Sequence, residues 1–255
     1  FLSQDHRNPH HRITEEMNAI IQHSSGLHGR LTTPPDKAVC HRAVLIAAVA
    51  QGPTDITPWP AADDCQRTLQ LVCDLGVPVS RSGSMVHVEG QGTDGLRAPS
   101  GALSCGESGT TLRLAAGLLA GQPFDSTLSA GPSLCRRPMR RIIDPLSGMG
   151  ARIDGTTMEG TGELFPPLTV HGIRPLQAIR YPMDVASAQV KSAILLAGLF
   201  ARGRTTVIER LRSRDHTERA FRHFGARLEQ SKTEISVEPG PLRSPGTLRL
   251  PGDVS

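Results

Sequence analysis

The sequence predicts an α/β domain made of three copies of one βαβαββ unit, with buried parallel helices inside and sheets outside. Three observations predict it. The near-apolar, small-residue-rich segments 45–52, 114–121 and 195–203 recur as variants of one theme, each closed by glycine. A helix that is apolar on every side belongs inside a domain, because an exposed one shows a polar face. Each segment is followed by a short strand pattern (54–57, 126–128, 205–208) and then a more amphipathic helix ending in Leu75-Gly76, Met149-Gly150 or Phe224-Gly225. These glycines stand 74 and 75 residues apart. Each unit then closes with a hairpin pattern, at 77–88, 151–170 and 226–237. Units of roughly 70–80 residues are too long for a solenoid repeat and suit a threefold pseudo-symmetric globule.

Taken in order, residues 1–18 form a polar, histidine-rich extension without periodicity. Residues 19–33 hold two strand candidates, Ala19-Ile20-Ile21-Gln22 and Gly29-Arg30-Leu31-Thr32, split by the turn-like Ser24-Ser25-Gly26. The three-repeat domain spans 34–247. Its first inner helix opens at Pro34-Pro35-Asp36-Lys37 and stops at Gly52, with proline at the start and glycine past the end. The second opens at Cys105-Gly106-Glu107-Ser108-Gly109-Thr110-Thr111-Leu112-Arg113, and the third after Ser187. The second helices of the units are expected at 64–75, 136–149 and 215–224. Residues 248–255 read as the start of a crossover to a second domain that this chain lacks.

Composition bounds the function. The 255 residues include one Trp, one Tyr and six Phe, so the core rests on Leu, Ile, Val and Ala. No apolar run approaches the roughly 18 residues of a membrane span. A net charge of +4 suits an anionic ligand, but the absence of a Lys/Arg block argues against nucleic acid. Five cysteines without CxxC spacing argue against zinc and a disulfide framework, and imply reduced thiols in the cytoplasm.

If the three inner helices point the same way, their N-termini gather unpaired N–H groups that favour an anion. At those starts stand Lys37 and Arg42, then Gly109, Thr110 and Arg113, then Ser187, Gln189 and Lys191. The second helices add Asp63 and Asp64, then Arg136 and Arg137, then Ser213, Arg214, Asp215 and His216. Asp63 reads equally well as an N-cap, Glu218 as the capping-box partner of Asp215, and Arg140 and Arg141 as a solvated helix face. Guanidinium groups bind carboxylate and phosphate bidentately, so Arg42 and Arg137 point to a small ligand with several negative charges.

From Ile20 to Ser255 the chain resembles the N-terminal portion of the 5-enolpyruvylshikimate-3-phosphate synthase (3-phosphoshikimate 1-carboxyvinyltransferase) family. The resemblance rests on Asp36-Lys37-Ala38-Val39-Cys40-His41-Arg42-Ala43, Gly106 to Arg113, Leu134-Cys135-Arg136-Arg137-Pro138-Met139, Ala186-Ser187-Ala188-Gln189-Val190-Lys191-Ser192-Ala193 and Ser213-Arg214-Asp215-His216-Thr217-Glu218. The last two stretches resemble the bacterial subclass associated with glyphosate tolerance. The resemblance implies an inside-out, enolpyruvyl transferase-like fold. It also implies transfer of the enolpyruvyl group of phosphoenolpyruvate to the 5-hydroxyl of shikimate 3-phosphate, with no metal or organic cofactor. By motif, Lys37, Gly109, Arg137 and Gln189 are expected to hold phosphoenolpyruvate, with Lys37 also catalytic. Lys37, Arg42, Ser187, Gln189, Ser213 and Arg214 are expected to hold shikimate 3-phosphate, with Asp63, Thr110, Arg113 and Ala188 nearby.

The chain departs from the family in three ways. Pro35 and Ala38 replace a glycine and a serine at the first site, and the serine hydroxyl is a substrate-phosphate ligand. Glu107 stands where asparagine is common and brings a negative charge toward an anion site. The family's second half, with its acid–base carboxylates, is absent, so a C-terminal domain or second polypeptide is the expected partner and the chain alone is expected to be inactive. Two other readings keep a place: a degenerate ligand-binding or interaction module of the same fold, and the UDP-N-acetylglucosamine enolpyruvyl transferase. The latter is disfavoured because asparagine does not follow Lys37, and Cys135 lies too near Arg137-Pro138 to match that enzyme's cysteine loop.

Overall fold

A capped helix start occurs three times at matching places. In each, a polar side chain takes a backbone N–H three residues on: Asp36 from Val39 (3.0 Å), Ser108 from Thr111 (3.2 Å) and Ser187 from Val190 (3.4 Å). Each such cap is worth about 1 kcal/mol. The computed structural model describes residue 26 and residues 28–158 and 160–253. The expected polar extension and the strand at 19–22 lie outside the described residues, and residues 29–32 carry no strand. The described residues from 33 onward form one compact unit, described below.

The first repeat comprises α1 (Lys37–Ala48), β1 (Ala50–Thr57), α2 (Asp63–Asp74), β2 (Val79–Ser82) and β3 (Met85–Gln91). The second comprises β4 (Leu103–Ser104), α3 (Gly109–Ala120), β5 (Asp125–Ser129), α4 (Arg140–Gly148), β6 (Arg152–Thr157) and β7 (Leu164–His171). After the short β8 (Leu176–Gln177), the third has β9 (Arg180–Met183), α5 (Ala188–Gly198), β10 (Ala201–Arg202), β11 (Thr205–Glu209), α6 (His216–His223), β12 (Arg227–Gln230) and β13 (Glu234–Glu238). Two short strands follow, β14 (Leu242–Arg243) and β15 (Thr247–Arg249).

The second helices all end the same way. Gly76, Gly150 and Gly225 have φ of +83°, +95° and +72°, a region that favours glycine. The N–H groups of Val77, Ala151 and Ala226 reach back to the carbonyls of Val72, Leu146 and Phe221, which closes a Schellman motif in each repeat. The carbonyls of Leu75, Met149 and Phe224 then accept from Arg97, Gln177 and Arg243 in the segment that follows each hairpin. The glycine spacing seen in the sequence is therefore the signature of one helix-end geometry used three times.

In the second and third repeats the sheets run β4-β5-β7-β6 and β9-β11-β13-β12, with the first pair parallel and the rest antiparallel. The first repeat has β1-β3-β2, and its parallel partners come from late in the chain: β14 pairs with the start of β1, Ala50 opposite Leu242, and β15 with its end, Asp55 opposite Thr247. The antiparallel bridge Pro35–Gly252 and the Asp36 N–H to the Pro251 carbonyl continue that closure. Residues 247–252, within which the expected crossover begins, thus pack against β1 and the start of α1.

The three inner helices are buried nearly all round, as their composition requires. Their Leu, Ile and Ala side chains, with those of α2, α4 and α6 and the inner sheet faces, form one continuous core. Burial of each Leu or Ile stabilises by about 1.5–3 kcal/mol. α3 and α5 touch at Gly117, where a Cβ would meet the Ala193 backbone 2.6 Å from its Cα. One expected element is shorter than predicted. The helix read at 136–149 begins only at Arg140, because Pro138 and the 3-10 turn Leu134–Arg136 interrupt it, so Arg136 and Arg137 precede the helix.

Candidate functional site

The inner helix starts come together through side chains of their own first turns. Arg42 of α1 is 3% exposed; its Nε donates to Thr217 Oγ1 at 2.7 Å, Nη1 to the Ala38 carbonyl at 2.7 Å and Nη2 to Ser192 Oγ at 2.8 Å. It therefore ties α1 to α5 and α6. Gln189 joins α5 to α3: its Nε2 donates to Thr110 Oγ1 (2.9 Å) and its Oε1 accepts from Arg113 Nη1 (2.8 Å). A third link runs from His41 Nδ1 to Thr68 Oγ1 (2.6 Å), then Thr111 Oγ1 (2.7 Å), then Ser108 Oγ (2.7 Å). Thr68 and Thr217 occupy equivalent positions in α2 and α6, so two repeat junctions use a buried threonine in the same way.

Beside these links lies an open cleft of about 470 Å³ lined by Ser187, Ala188, Gln189, Ser213 and Arg214, with Arg141 and Arg212. A second hollow of about 220 Å³ is lined by Arg113, Arg137, Arg141, Pro138 and Glu163. Arg141 borders both. Five of the residues singled out in the sequence thus share the first cleft, and Arg113 and Arg137 share the second.

The hollow is strongly cationic. Burial, and then the charges of Arg141 and Arg137, push the Arg113 guanidinium down to about 10. Its Nε finds no protein acceptor among the described residues. Burial likewise lowers Arg42 to about 10, with Arg214 adding to the effect and Glu218 and Asp36 opposing it. An anion bound here relieves repulsion between guanidinium groups and forms charge-assisted hydrogen bonds.

Gly109 is buried at the first position of α3, and a Cβ there would stand 2.8 Å from Arg113 Nη1. Lys37 is half exposed and lies 3.4 Å from Asp64 Oδ2, a weak surface contact. Asp63 is the first residue of α2 and not its cap; that place is taken by Ala62, without a side-chain bond. Asp63 instead pairs with Arg67 at 3.1 Å.

Other expectations change. Glu107 turns to the backbone: Oε1 accepts from Ser133 N (3.2 Å) and Oε2 from Leu134 N (2.8 Å). Its charge is thereby used on the turn that precedes Arg137. Glu218 is no capping-box partner, since Asp215 makes no side-chain cap and Glu218 is buried against Lys191 at 2.6 Å. Arg140 does face solvent and donates to the Gly162 carbonyl, but its neighbour Arg141 borders both cavities. Nothing in the sequence separates these two adjacent arginines; only the turn of α4 does.

A family model described as EPSP synthase (3-phosphoshikimate 1-carboxyvinyltransferase) matches residues 21–255. A 3-phosphoshikimate 1-carboxyvinyltransferase of Coxiella burnetii (strain CbuG_Q212) is 46% identical over 234 residues, which is 91% of this chain and 52% of the relative. One from Alkalilimnicola ehrlichii is 47% identical over 240 residues, 94% of this chain and 53% of the relative. The solved EPSP synthase of Acinetobacter baumannii superposes with a TM-score of 0.83 at 42% identity, over 89% of this chain and 50% of that one. The chain spans about half the length of the curated relatives it matches.

Proposed function

This chain belongs to the EPSP synthase family, and from that premise we propose that it forms the N-terminal half of an enolpyruvyl transferase site. The observation that carries this reading is the adjacency of the two cavities. Ser187, Gln189, Ser213 and Arg214 surround one, Arg113 and Arg137 the other, and Arg141 lies at both. Two anions held side by side match a reaction between a phosphorylated alcohol and phosphoenolpyruvate.

In this reading the cleft takes shikimate 3-phosphate, with Ser187, Gln189, Ser213 and Arg214 as ligands and Arg42 bracing the helix starts behind them. Phosphoenolpyruvate lies against Arg137, Gly109 and Gln189, with Lys37 reaching both substrates from the start of α1. The 5-hydroxyl gives up its proton and attacks C2 of phosphoenolpyruvate while the methylene carbon gains a proton and becomes a methyl. The tetrahedral adduct then loses one methyl proton and expels inorganic phosphate, which restores the carbon–carbon double bond of the enol ether. This chain's contribution is to fix two anions in reacting geometry and neutralise their charge. The proton-transfer carboxylates come from a second domain or polypeptide. Ala38 offers no hydroxyl, so the substrate phosphate relies on Lys37 and the arginines. The five free thiols suit a reducing cytoplasm. Among the described residues no helix is long and apolar enough to cross a membrane.

The test is reconstitution. The remaining half of a curated relative is added to this chain, and phosphate release is followed with both substrates present. Turnover that requires both halves supports the reading; tight association without turnover favours the degenerate module.

A further inference from the structure

Lys191 stands between Glu209 and Glu218 in a buried ion triad inside the third repeat. Lys191 Nζ lies 2.9 Å from Glu209 Oε2 and 2.6 Å from Glu218 Oε1, and none of the three side chains is more than 4% exposed. Taking three charges out of water is unfavourable, and well-packed apolar side chains at such places are often as stable or more so. The pseudo-symmetry of this chain supplies those apolar alternatives. Lys191 is the fourth residue after the cap Ser187, and the same position holds Cys40 after Asp36 and Leu112 after Ser108. Glu218 stands six residues before Phe224, as Leu69 does before Leu75 and Ile143 before Met149. Glu209 follows Val207 by two residues, as Pro58 follows Ile56 and Ala130 follows Leu128, the three strand residues being matched by their hairpin partners Ile235, Val86 and Leu168. Two repeats build this spot without charge; the third does not.

The triad holds a loop of the candidate site. Glu209 Oε1, the oxygen turned away from Lys191, accepts the Ser213 N–H at 3.1 Å and the Ser213 hydroxyl at 2.5 Å. Measured from the closing glycines, α6 starts about one turn later than α2, so residues 212–215 are unwound where the first repeat is helical at 63–66; α4 begins only one residue earlier than α6 on the same measure. A pocket of about 170 Å³ is lined by Lys191, Glu209, Glu218, Ser213, Arg214 and Arg212, and the last three of these also line the open cleft.

We propose that Lys191, Glu209 and Glu218 are positioning residues peculiar to the third repeat. They fix the Glu209 carboxylate so that it holds Ser213 and aims Arg214 at the anionic ligand of the cleft. The identity of that ligand rests on the function proposed above, whereas the ordering of the Ser213 loop does not.

The test transplants the second repeat's residues: Lys191→Leu, Glu209→Ala and Glu218→Ile in one protein. Two quantities are read, amide hydrogen exchange at Ser213 and calorimetric affinity for shikimate 3-phosphate. The expected result is a folded protein at least as heat-stable as the wild type, with Ser213 exchange faster by about tenfold and ligand affinity weaker by about tenfold. Unchanged Ser213 exchange overturns the proposal, as does unchanged affinity for a ligand that the wild type binds. If the wild type binds no shikimate 3-phosphate, the functional reading fails and the exchange still decides the positioning role. If the triple variant does not fold, Glu209→Gln takes its place, with faster Ser213 exchange expected and unchanged exchange contradictory.

Discussion

Glu107 Oε2 accepts the Leu134 N–H at 2.8 Å, and this bond fastens the start of the second inner helix to the turn that leads into Arg137. Glu107→Ala is expected to lower stability by about 1–2 kcal/mol, the worth of a charged side chain capping two backbone N–H groups. Binding of phosphoenolpyruvate in the reconstituted enzyme should weaken too, because the Arg137 segment loses its anchor. Urea denaturation and a binding titration check both. Tighter anion binding with no change in stability would mean that Glu107 acts as a repelling charge after all.

Gly109 is required by Arg113. An alanine Cβ would stand 2.8 Å from Arg113 Nη1, which is already bonded to Gln189. Gly109→Ala should therefore shift the guanidinium and narrow the neighbouring hollow. In the reconstituted enzyme the expected loss of affinity is greater for a longer analogue such as glyphosate than for phosphoenolpyruvate, by about tenfold. Equal losses for the two ligands would contradict this placement.

Gly117 answers to packing alone. Its missing side chain lets α3 lie against the Ala193 backbone of α5. Gly117→Ala should destabilise by about 1–3 kcal/mol through overpacking, although alanine is the better helix former. A melting temperature raised by the substitution would show that the two helices can move apart without loss.

His41 sets a pH dependence. Burial pushes its pKa down to about 4; Arg42 and Lys37 add to the fall, and Asp64 and Asp36 oppose it. The unfolded chain, with a histidine pKa near the usual 6.5, takes up the proton first as pH drops. Stability is thus fully present above pH 6.5 and is lost as pH falls toward 4, by about 3 kcal/mol from this group. Urea midpoints at pH 7 and pH 4.5 should differ less in His41→Gln than in the wild type. An identical pH slope in the two proteins contradicts the assignment.

Much of the fold was legible because its signals are local. The Leu75-Gly76, Met149-Gly150 and Phe224-Gly225 pairs mark helix ends that need a positive φ, and the inner helices are apolar on all sides. What was not legible depends on partners distant in sequence. β15 completes the first sheet from the opposite end of the chain, and a three-residue strand carries too little pattern to announce that. Asp215 and Glu218 have the spacing of a capping box, a local rule overridden by Lys191, which lies 27 residues earlier and is buried beside Glu218. The site followed the same division. Ser187, Gln189, Ser213 and Arg214 stood out through their motifs, while Arg141 became distinct from Arg140 only once α4 was oriented.

The most direct test of the proposed site is calorimetric titration of this chain with shikimate 3-phosphate and, separately, with UDP-N-acetylglucosamine. Saturable binding of shikimate 3-phosphate at one site, weakened by about tenfold or more in Arg214→Ala, with no binding of the sugar nucleotide, is the expected result. Binding of the sugar nucleotide without binding of shikimate 3-phosphate would contradict it.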